Sequence, residues 1–228
     1  VCDIDEANLA RAAQTYEPPV VTRDYHDLLA DDAIDAIVLG VQHQQHLRFM
    51  REIAAAGKHM LVEKPMSTTN EESRQMVEAV QAAGVKLMVG YNRRFGPLYA
   101  RAKQLFQQAH GGARPPAIVT FRAVDDKNFW PDWPFDLNRG GGKILCECCH
   151  FFDFLPWFLE AEPQRVFCEG YRTDENLVTI RFSDGSIGAI VSGGGGSVAY
   201  PKERLEVFCD ASTLVVDQCL ELHVEGYE

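Results

Sequence analysis

Residues 33–65 read AIDAIVLGVQHQQHLRFMREIAAAGKHMLVEKP, and this stretch decides the fold. The continuous apolar run at 33–41 predicts a strand covered on both faces, and residues 59–65 predict a second buried strand. Segment 43–58 between them carries apolar residues at helical spacing and ends beside Gly57. A strand, a helix and a strand in this order predict a βαβ unit with a parallel sheet.

The same alternation continues on both sides of this unit. Residues 1–4 predict the end of a strand, and capping residues from Thr68 onward open a helix that Gly84 closes before a strand at 85–92. We therefore expect residues 1–92 to form an incomplete Rossmann-type domain. A dinucleotide-binding fold begins with a strand and a Gly-rich turn, followed by an acid about 20 residues after that turn.

Asp3 stands where that acid is expected, and only two residues precede it. The first strand and its Gly-rich turn are thus missing from the expected pattern. We expect the sequence to be truncated at the N-terminus, and at the C-terminus as well.

The second part of the chain, residues 93–228, has a different pattern. A helix at 95–108 and a strand at 115–126 precede an aromatic loop and a second helix at 150–160. Strands then follow one another without intervening helices, which predicts an α+β domain with a largely antiparallel sheet. The predicted strands are residues 164–172, 175–182, 186–193, 204–210, 212–219 and 221–226.

Composition restricts the classes of function. The 228 residues are 46% hydrophobic and 24% charged, with a net charge of −11. This balance is typical of a globular protein, and the acidic charge disfavours nucleic acid as a partner. No apolar run reaches the roughly 20 residues of a membrane span, and the N-terminal residues do not resemble a signal peptide. Seven scattered cysteines, an odd number, favour a reducing cytoplasmic location.

Several motifs together resemble the Gfo/Idh/MocA oxidoreductases. GKHMLVEKPMSTTNEES resembles the lysine motif of that family, and VGYNRRFGP follows at the family's spacing. GGGKILCECCHFFDFL, with a histidine eight residues after the last glycine, and FSDGSIGAI complete the order. The resemblance covers nearly the whole chain.

The resemblance implies an NAD(P)-dependent oxidoreductase that transfers a hydride to or from a sugar, nucleotide sugar or polyol. Lys64 and His150 match the catalytic positions: the lysine orients and polarises the reacting oxygen, and the histidine exchanges its proton. It also implies a cis peptide bond before Pro65. For the substrate we expect contacts from Arg93, Trp133, Glu147 and His150.

We expect NAD as the cofactor, with NADP as the alternative. An acid at Asp3 hydrogen-bonds the adenosine ribose and repels a 2′-phosphate, which favours NAD. Gly40, Val41 and His46 resemble the segment that passes the nicotinamide and caps the next helix. The remaining expected cofactor-binding residues, at or near strand ends, are Glu63, Lys64 and Asn92.

The cluster Cys146-Glu147-Cys148-Cys149-His150 suggests metal binding or a thiol nucleophile, but its spacing is too compact to wrap a tetrahedral ion. Hydride transfer needs no thiol. We therefore expect no metal and cysteines that pack as small apolar residues. Many relatives have an aspartate four residues before the histidine, where this chain has Cys146. Glu147, Cys146 or no residue at all then partners His150.

Two alternatives stay open. A non-catalytic protein that senses sugar or dinucleotide would keep the fold, and an NAD-dependent glycosidase shares it. The second domain is expected to use one sheet face for helices and the other for a partner subunit, in a homodimer or homotetramer.

Overall fold

The computed structural model describes residues 1–109, 115–171 and 173–227. The chain divides into two compact units. The first unit comprises Val1–Val41, Gln45–Glu63 and Thr69–Val89, and the second comprises Gln42–Gln44, Lys64–Thr68 and Gly90–Glu228. Two short segments that follow strands of the first unit, residues 42–44 and 64–68, therefore belong to the second.

The first unit contains a parallel sheet with the order β1-β2-β3 among the described residues. Cys2 and Thr22 form an additional isolated parallel bridge. The predicted βαβ unit is confirmed. The elements are α1 (Glu6–Tyr16), α2 (Tyr25–Ala30), β1 (Ala36–Leu39), α3 (His46–Ala55), β2 (His59–Val62), α4 (Asn70–Ala83) and β3 (Leu87–Val89), with a 3-10 helix at His43–Gln45.

Local sequence signals explain where these helices begin and end. Thr69 caps α4 in a capping box, in which its side chain accepts from the Glu72 backbone and the Glu72 carboxylate accepts from the Thr69 backbone. Gly84 ends α4 with a left-handed φ of 67°. Asp5 caps α1 by accepting from two backbone N–H groups of its first turn.

The expected coverage of the strands on both faces is wrong. Burial alternates along these strands, so that Leu39 and Val62 are buried while Val38 is 75% and Met88 48% exposed. The reason is that α3 packs on β2 and on α4, which covers one face. Side chains of successive strand residues point to opposite faces, so every second residue lacks this cover.

The second unit contains a seven-stranded sheet with the order β10-β9-β8-β4-β7-β6-β5 among the described residues. All neighbouring pairs are antiparallel except β4 with β7. The predicted α+β class is confirmed. The elements are α5 (Pro97–Ala109), β4 (Ile118–Val124), α6 (Lys143–Cys146), α7 (Cys149–Leu159), β5 (Pro163–Gly170), β6 (Asn176–Phe182), β7 (Ile187–Gly193), β8 (Glu203–Cys209), β9 (Ser212–Asp217) and β10 (Glu221–Glu225), with 3-10 helices at Asn92–Phe95 and Lys127–Phe129.

The predicted strands from residue 164 onward are present, although Arg172 at the end of the first of them lies outside the described residues. Burial on β6 alternates strictly, with Val178, Ile180 and Phe182 facing the core. One face of this sheet therefore packs on helices and the other carries partly exposed side chains.

Aromatic packing holds α7 against this sheet. The ring of Phe151 stacks on Phe121 of β4 at 4.1 Å, and Phe158 stacks on Phe106 of α5 at 4.9 Å. Together with Phe154 these side chains are fully buried. Truncation of one such ring typically costs about 3–5 kcal/mol. The N-terminal turn of α7 is thereby held firmly, and this turn carries His150.

No helix in the described ranges is both long and apolar enough to cross a bilayer.

Candidate active site

Lys64 is the second residue after β2, and its side chain reaches the C-terminal end of α6 and the residue that follows it. The Lys64–Pro65 peptide bond is cis, which confirms the expectation. The Lys64 ammonium donates to the Cys146 carbonyl at 2.6 Å and lies 3.6 Å from Glu147 Oε2. Its side chain is 19% exposed, and these contacts hold the ammonium in place.

Three glycines set the path of the chain into α6. A Cβ on Gly140 would lie 2.3 Å from backbone atoms of Pro134, so only glycine fits there. Gly141 and Gly142 have φ angles of 86° and 84°, in the left-handed region that favours glycine. Gly140 thus lets the chain pass close to the backbone of Pro134.

Glu147 is turned inward and only 3% exposed. Its Oε1 lies 2.7 Å from the Lys202 ammonium, while its Oε2 faces Lys64. Burial by itself would raise the pKa of this carboxyl, but attraction to Lys202 and then Lys64 outweighs burial and lowers the pKa to about 2. Glu147 is therefore a carboxylate that two ammonium groups share.

His150 is buried at the start of α7, and its Nδ1 has no hydrogen-bond partner among the described residues. Burial, followed by repulsion from Arg93 and Lys64, lowers its pKa to about 3. The imidazole is therefore neutral near pH 7 and can accept a proton. Glu147 opposes this shift and does not hydrogen-bond the ring.

The three clustered cysteines are buried. Burial raises the pKa of Cys146 to about 11 and of Cys148 to about 12, and it raises the pKa of Cys149 as well. The thiols stay protonated and pack as small apolar groups, because only a thiolate is a nucleophile or a metal ligand. Within the described ranges, no three His, Cys, Asp or Glu side chains group as metal ligands.

Arg93, expected to bind substrate, lies in a buried ion pair. Its Nε and Nη2 contact the Glu203 carboxylate at 2.7–3.1 Å, and its Nη1 donates to the Asn92 side chain at 2.7 Å. Tyr99 adds a hydroxyl donor to Glu203 at 2.5 Å. The structure thus engages Arg93 within the fold, and its contact with substrate stays a prediction.

The two tryptophans of the aromatic loop at residues 128–136 contact different partners. Trp133 packs its ring edge-on against His43 at 4.7 Å, and His43 Nδ1 lies 3.0 Å from the Gly140 carbonyl. Trp130 instead donates from Nε1 to Asp125 at 3.0 Å. Stacking of Trp133 on a sugar ring stays a prediction.

Three of the expected cofactor residues line one cavity of about 440 Å³ in the first unit: Asp3, Gly40 and Val41. The Asp3 oxygens accept from the Asp5 backbone and the Asn8 side chain, and each keeps a lone pair. Nothing lies within 4 Å of a Cβ built on Gly40. An acceptor beside an open turn fits the ribose of a dinucleotide.

The other expected cofactor residues differ in their surroundings. His46 is fully buried and its Nε2 lies 3.1 Å from the Val41 carbonyl, so it supports the turn after β1. Glu63 is exposed and directly follows β2, and its backbone N–H donates to the Leu39 carbonyl.

Three charged residues near Glu147, namely Asp125, Lys143 and Lys202, could not be recognised from the sequence. Lys202 bridges Glu147 to Asp125, and Asp125 also pairs with the buried Lys143. These residues are separated by up to 77 positions, from 125 to 202, and no local pattern links them.

Comparison with known proteins assigns both parts of the chain. Residues 1–91 match the model of an oxidoreductase family with an NAD-binding Rossmann fold, and residues 99–215 match the GFO/IDH/MocA C-terminal domain. The chain belongs to the Gfo/Idh/MocA family. Myo-inositol 2-dehydrogenase of Thermotoga maritima is 26% identical over 98% of this chain and 69% of its own length. D-xylose 1-dehydrogenase (NADP(+)) 2 of Haloferax volcanii is 29% identical over 78% of this chain and 54% of its own.

Among solved structures, a probable dehydrogenase from Thermotoga maritima superposes with a TM-score of 0.82 at 25% identity. It covers 95% of this chain, and this chain covers 66% of it. This Gfo/Idh/MocA chain therefore spans about half to two thirds of the length of the proteins it matches.

Proposed function

We propose that this protein is an NAD(P)-dependent oxidoreductase that acts on a CH–OH group of a sugar, nucleotide sugar or polyol. One observation carries the proposal: an anchored ammonium, Lys64, and a buried neutral imidazole, His150, lie close enough for the charge of Lys64 to lower the pKa of His150. Both residues lie in motifs that resemble those of Gfo/Idh/MocA oxidoreductases, which supports this assignment. The inositol and xylose dehydrogenases act on substrates of this class, as their names state.

The chemistry follows from the states of these two groups. The Lys64 ammonium donates to the reacting oxygen and stabilises negative charge that develops there. His150, neutral at its buried position, accepts the hydroxyl proton in the oxidative direction and returns it in the reductive one. A bound nicotinamide supplies the hydride acceptor or donor.

We propose NAD as the preferred cofactor and NADP as the alternative. Asp3 would hold the adenosine ribose, and the turn at Gly40 and Val41 would pass the nicotinamide. The other residues proposed to contribute to this site are His46, Glu63 and Asn92. A carboxylate at Asp3 repels a 2′-phosphate. Asp3→Ser should narrow the preference for NAD over NADP, which titration of both dinucleotides measures.

Full-length protein tests the main proposal. A panel of polyols, aldoses and nucleotide sugars is offered with NAD and with NADP, and reduced nicotinamide is followed by absorbance. We expect turnover of at least one compound, with loss of activity in Lys64→Met. Tight dinucleotide binding without turnover would replace the enzyme with a sensor. Glycoside cleavage without net reduction of the cofactor would instead indicate a glycosidase.

We also propose that the open face of the seven-stranded sheet contacts a second copy of this chain, in a homodimer or homotetramer. Apolar side chains at 41–63% exposure lie on this face, which is more than scattered surface residues require. They are Ile118, Phe167, Leu177, Val191 and Phe208. Light scattering of the parent and of Leu177→Asp tests this, because a monomeric parent would contradict it.

The proposed location is the cytoplasm. All seven cysteines are free, and several are buried where oxidation would disrupt packing. Fractionation of cells that express a tagged full-length protein tests the location.

A further inference from the structure

Five charged side chains of the second unit form a row of alternating sign. Lys64 faces Glu147, Glu147 faces Lys202, Lys202 faces Asp125, and Asp125 pairs with Lys143. The two acids and Lys143 are buried. Attraction between such charges is strong because little water screens them.

Lys202 stands at the centre of this row. Its ammonium is 2.7 Å from Glu147 Oε1 and 3.1 Å from Asp125 Oδ2, and it lies 4.8 Å from the centre of the Trp130 ring. Trp130 is itself anchored by a hydrogen bond to Asp125. Two carboxylates and an aromatic face therefore fix the ammonium in one place.

The fixed ammonium has a consequence for Lys64. Lys202 draws Glu147 Oε1 toward itself, which directs Oε2 toward the Lys64 ammonium at 3.6 Å. Without Lys202, a buried carboxylate would lose its closest cation and would become harder to keep ionised. The electrostatic partner of Lys64 would then be weakened.

We propose that Lys202 is a positioning residue for the reaction, which acts through Glu147 to hold Lys64 in its working orientation. This inference rests on the proposed function. Glu147, three residues before His150, supplies a carboxylate to Lys64, and Lys202 holds that carboxylate.

Direct contact between Lys202 and substrate is the competing interpretation. The Lys202 ammonium has three protons. Glu147 Oε1 and Asp125 Oδ2 both lie within ion-pair distance of it, at 2.7 and 3.1 Å, and the Trp130 ring centre lies 4.8 Å away, so the ammonium is surrounded by groups of this chain. The geometry therefore favours action through Glu147.

Substitutions in full-length protein separate the two interpretations. Lys202→Met should lower kcat about 10- to 100-fold with KM for the sugar or polyol changed less than about threefold, because orientation is lost while binding is kept. Lys202→Arg should recover part of the kcat lost in Lys202→Met, since it keeps the charge although a guanidinium differs in shape from an ammonium. An unchanged kcat, or a raised KM at unchanged kcat, would overturn the proposal.

Lys103 offers a matched control. Its ammonium lies 3.0 Å from Glu160 and 4.4 Å from the Trp157 ring centre, and it donates to the Trp157 carbonyl at 2.6 Å. It thus has a carboxylate and a tryptophan as partners, like Lys202, but among the described residues it makes no contact with Glu147. Lys103→Met should leave kcat within about twofold of the parent.

A double-mutant cycle tests whether Lys202 acts through Glu147. Glu147→Gln should lower kcat by itself, and adding Lys202→Met should lower it little further, because the connecting group is already gone. Losses that multiply in the double variant would contradict action through Glu147.

Nuclear magnetic resonance provides a test that needs no turnover. The Glu147 carboxylate, which faces Lys64 and Lys202 and also interacts with His150 and Arg93, should titrate at higher pH in Lys202→Met. If that variant does not fold, the unaltered protein decides: absence of an ammonium contact between Lys202 and the Glu147 carboxylate overturns the proposal. If the parent oxidises no sugar or polyol, the proposed function fails while this measurement still stands.

Discussion

Two buried carboxylates of the second unit, Glu147 and Glu203, use their cations differently. Glu203 accepts a two-pronged contact from the Arg93 guanidinium and a hydroxyl from Tyr99, all at 2.5–3.1 Å. Glu147 is shared by two lysines, at 2.7 Å and 3.6 Å. A planar fork with fixed geometry locks structure, whereas an ammonium is a compact point charge that a carboxylate can share with a bound oxygen. Glu203 thus belongs to a structural ion pair, whereas Glu147 belongs to the proposed active site.

The largest expected effect is on stability at Glu203. Glu203→Gln leaves the buried Arg93 charge uncompensated, so the free energy of unfolding should fall by about 3–5 kcal/mol. Urea unfolding of the parent and the variant measures the change. A loss as small as that of an exposed charge would mean that this pair is not a structural lock.

The second effect concerns activity at Glu147. Glu147→Gln should lower kcat about 100-fold, while the free energy of unfolding falls by only about 1–3 kcal/mol. The loss of stability is small because Lys202 still pairs with Asp125 and Lys64 still donates to the Cys146 carbonyl. Steady-state kinetics and urea unfolding on the same preparation give both values. If Glu147→Gln unfolds the protein as strongly as Glu203→Gln, the contrast between the two acids is lost.

The third effect is a pH dependence of the free energy of unfolding that arises from His150. The folded pKa of about 3 lies below the ordinary 6.5, so between these values the unfolded state binds the extra proton. Stability should therefore be complete above about pH 6.5 and fall on acidification by up to about 1.4 kcal/mol per pH unit.

Glu147, with its pKa lowered from 4.5 to about 2, adds loss of stability in the same direction, but only below about pH 4.5. His150→Asn should flatten the dependence between pH 6.5 and 4.5, which unfolding at several pH values measures. An equal slope in parent and variant would contradict the neutral state of His150.

The smallest effect is expected at the neighbouring thiols. Cys148→Ala should cost about 1 kcal/mol of unfolding free energy and leave kcat within about twofold, because Cys148 serves as apolar filling. Kinetic assay and urea unfolding measure both. A large loss of kcat with intact stability would reveal a chemical role for the thiol.

Much of the fold could be predicted because its signals are local. The capping box at Thr69 and Glu72, the glycine at position 84 and the strand periods are read within a few residues. Coverage of the strands could not be predicted, since the exposure of Val38 depends on which face α3 and α4 occupy.

The site could be predicted in part. The motifs around Lys64 and His150 identify both residues by resemblance, but nothing near position 202 indicates that its lysine meets Glu147. The partners of Arg93 were likewise unpredictable, because Glu203 lies 110 residues away.

The sequence by itself determined the element order and the two classes of sheet, since these depend on short-range periodicity. Its motifs indicated the family by resemblance, and with it the proposed roles of Lys64 and His150. Only the tertiary structure decided the electrostatics. It placed Glu147 inward between two ammonium groups, buried His150 so that its imidazole stays neutral, and committed Arg93 to Glu203. Burial and distance set the strength of a charge interaction, and both arise only when segments remote in sequence pack together.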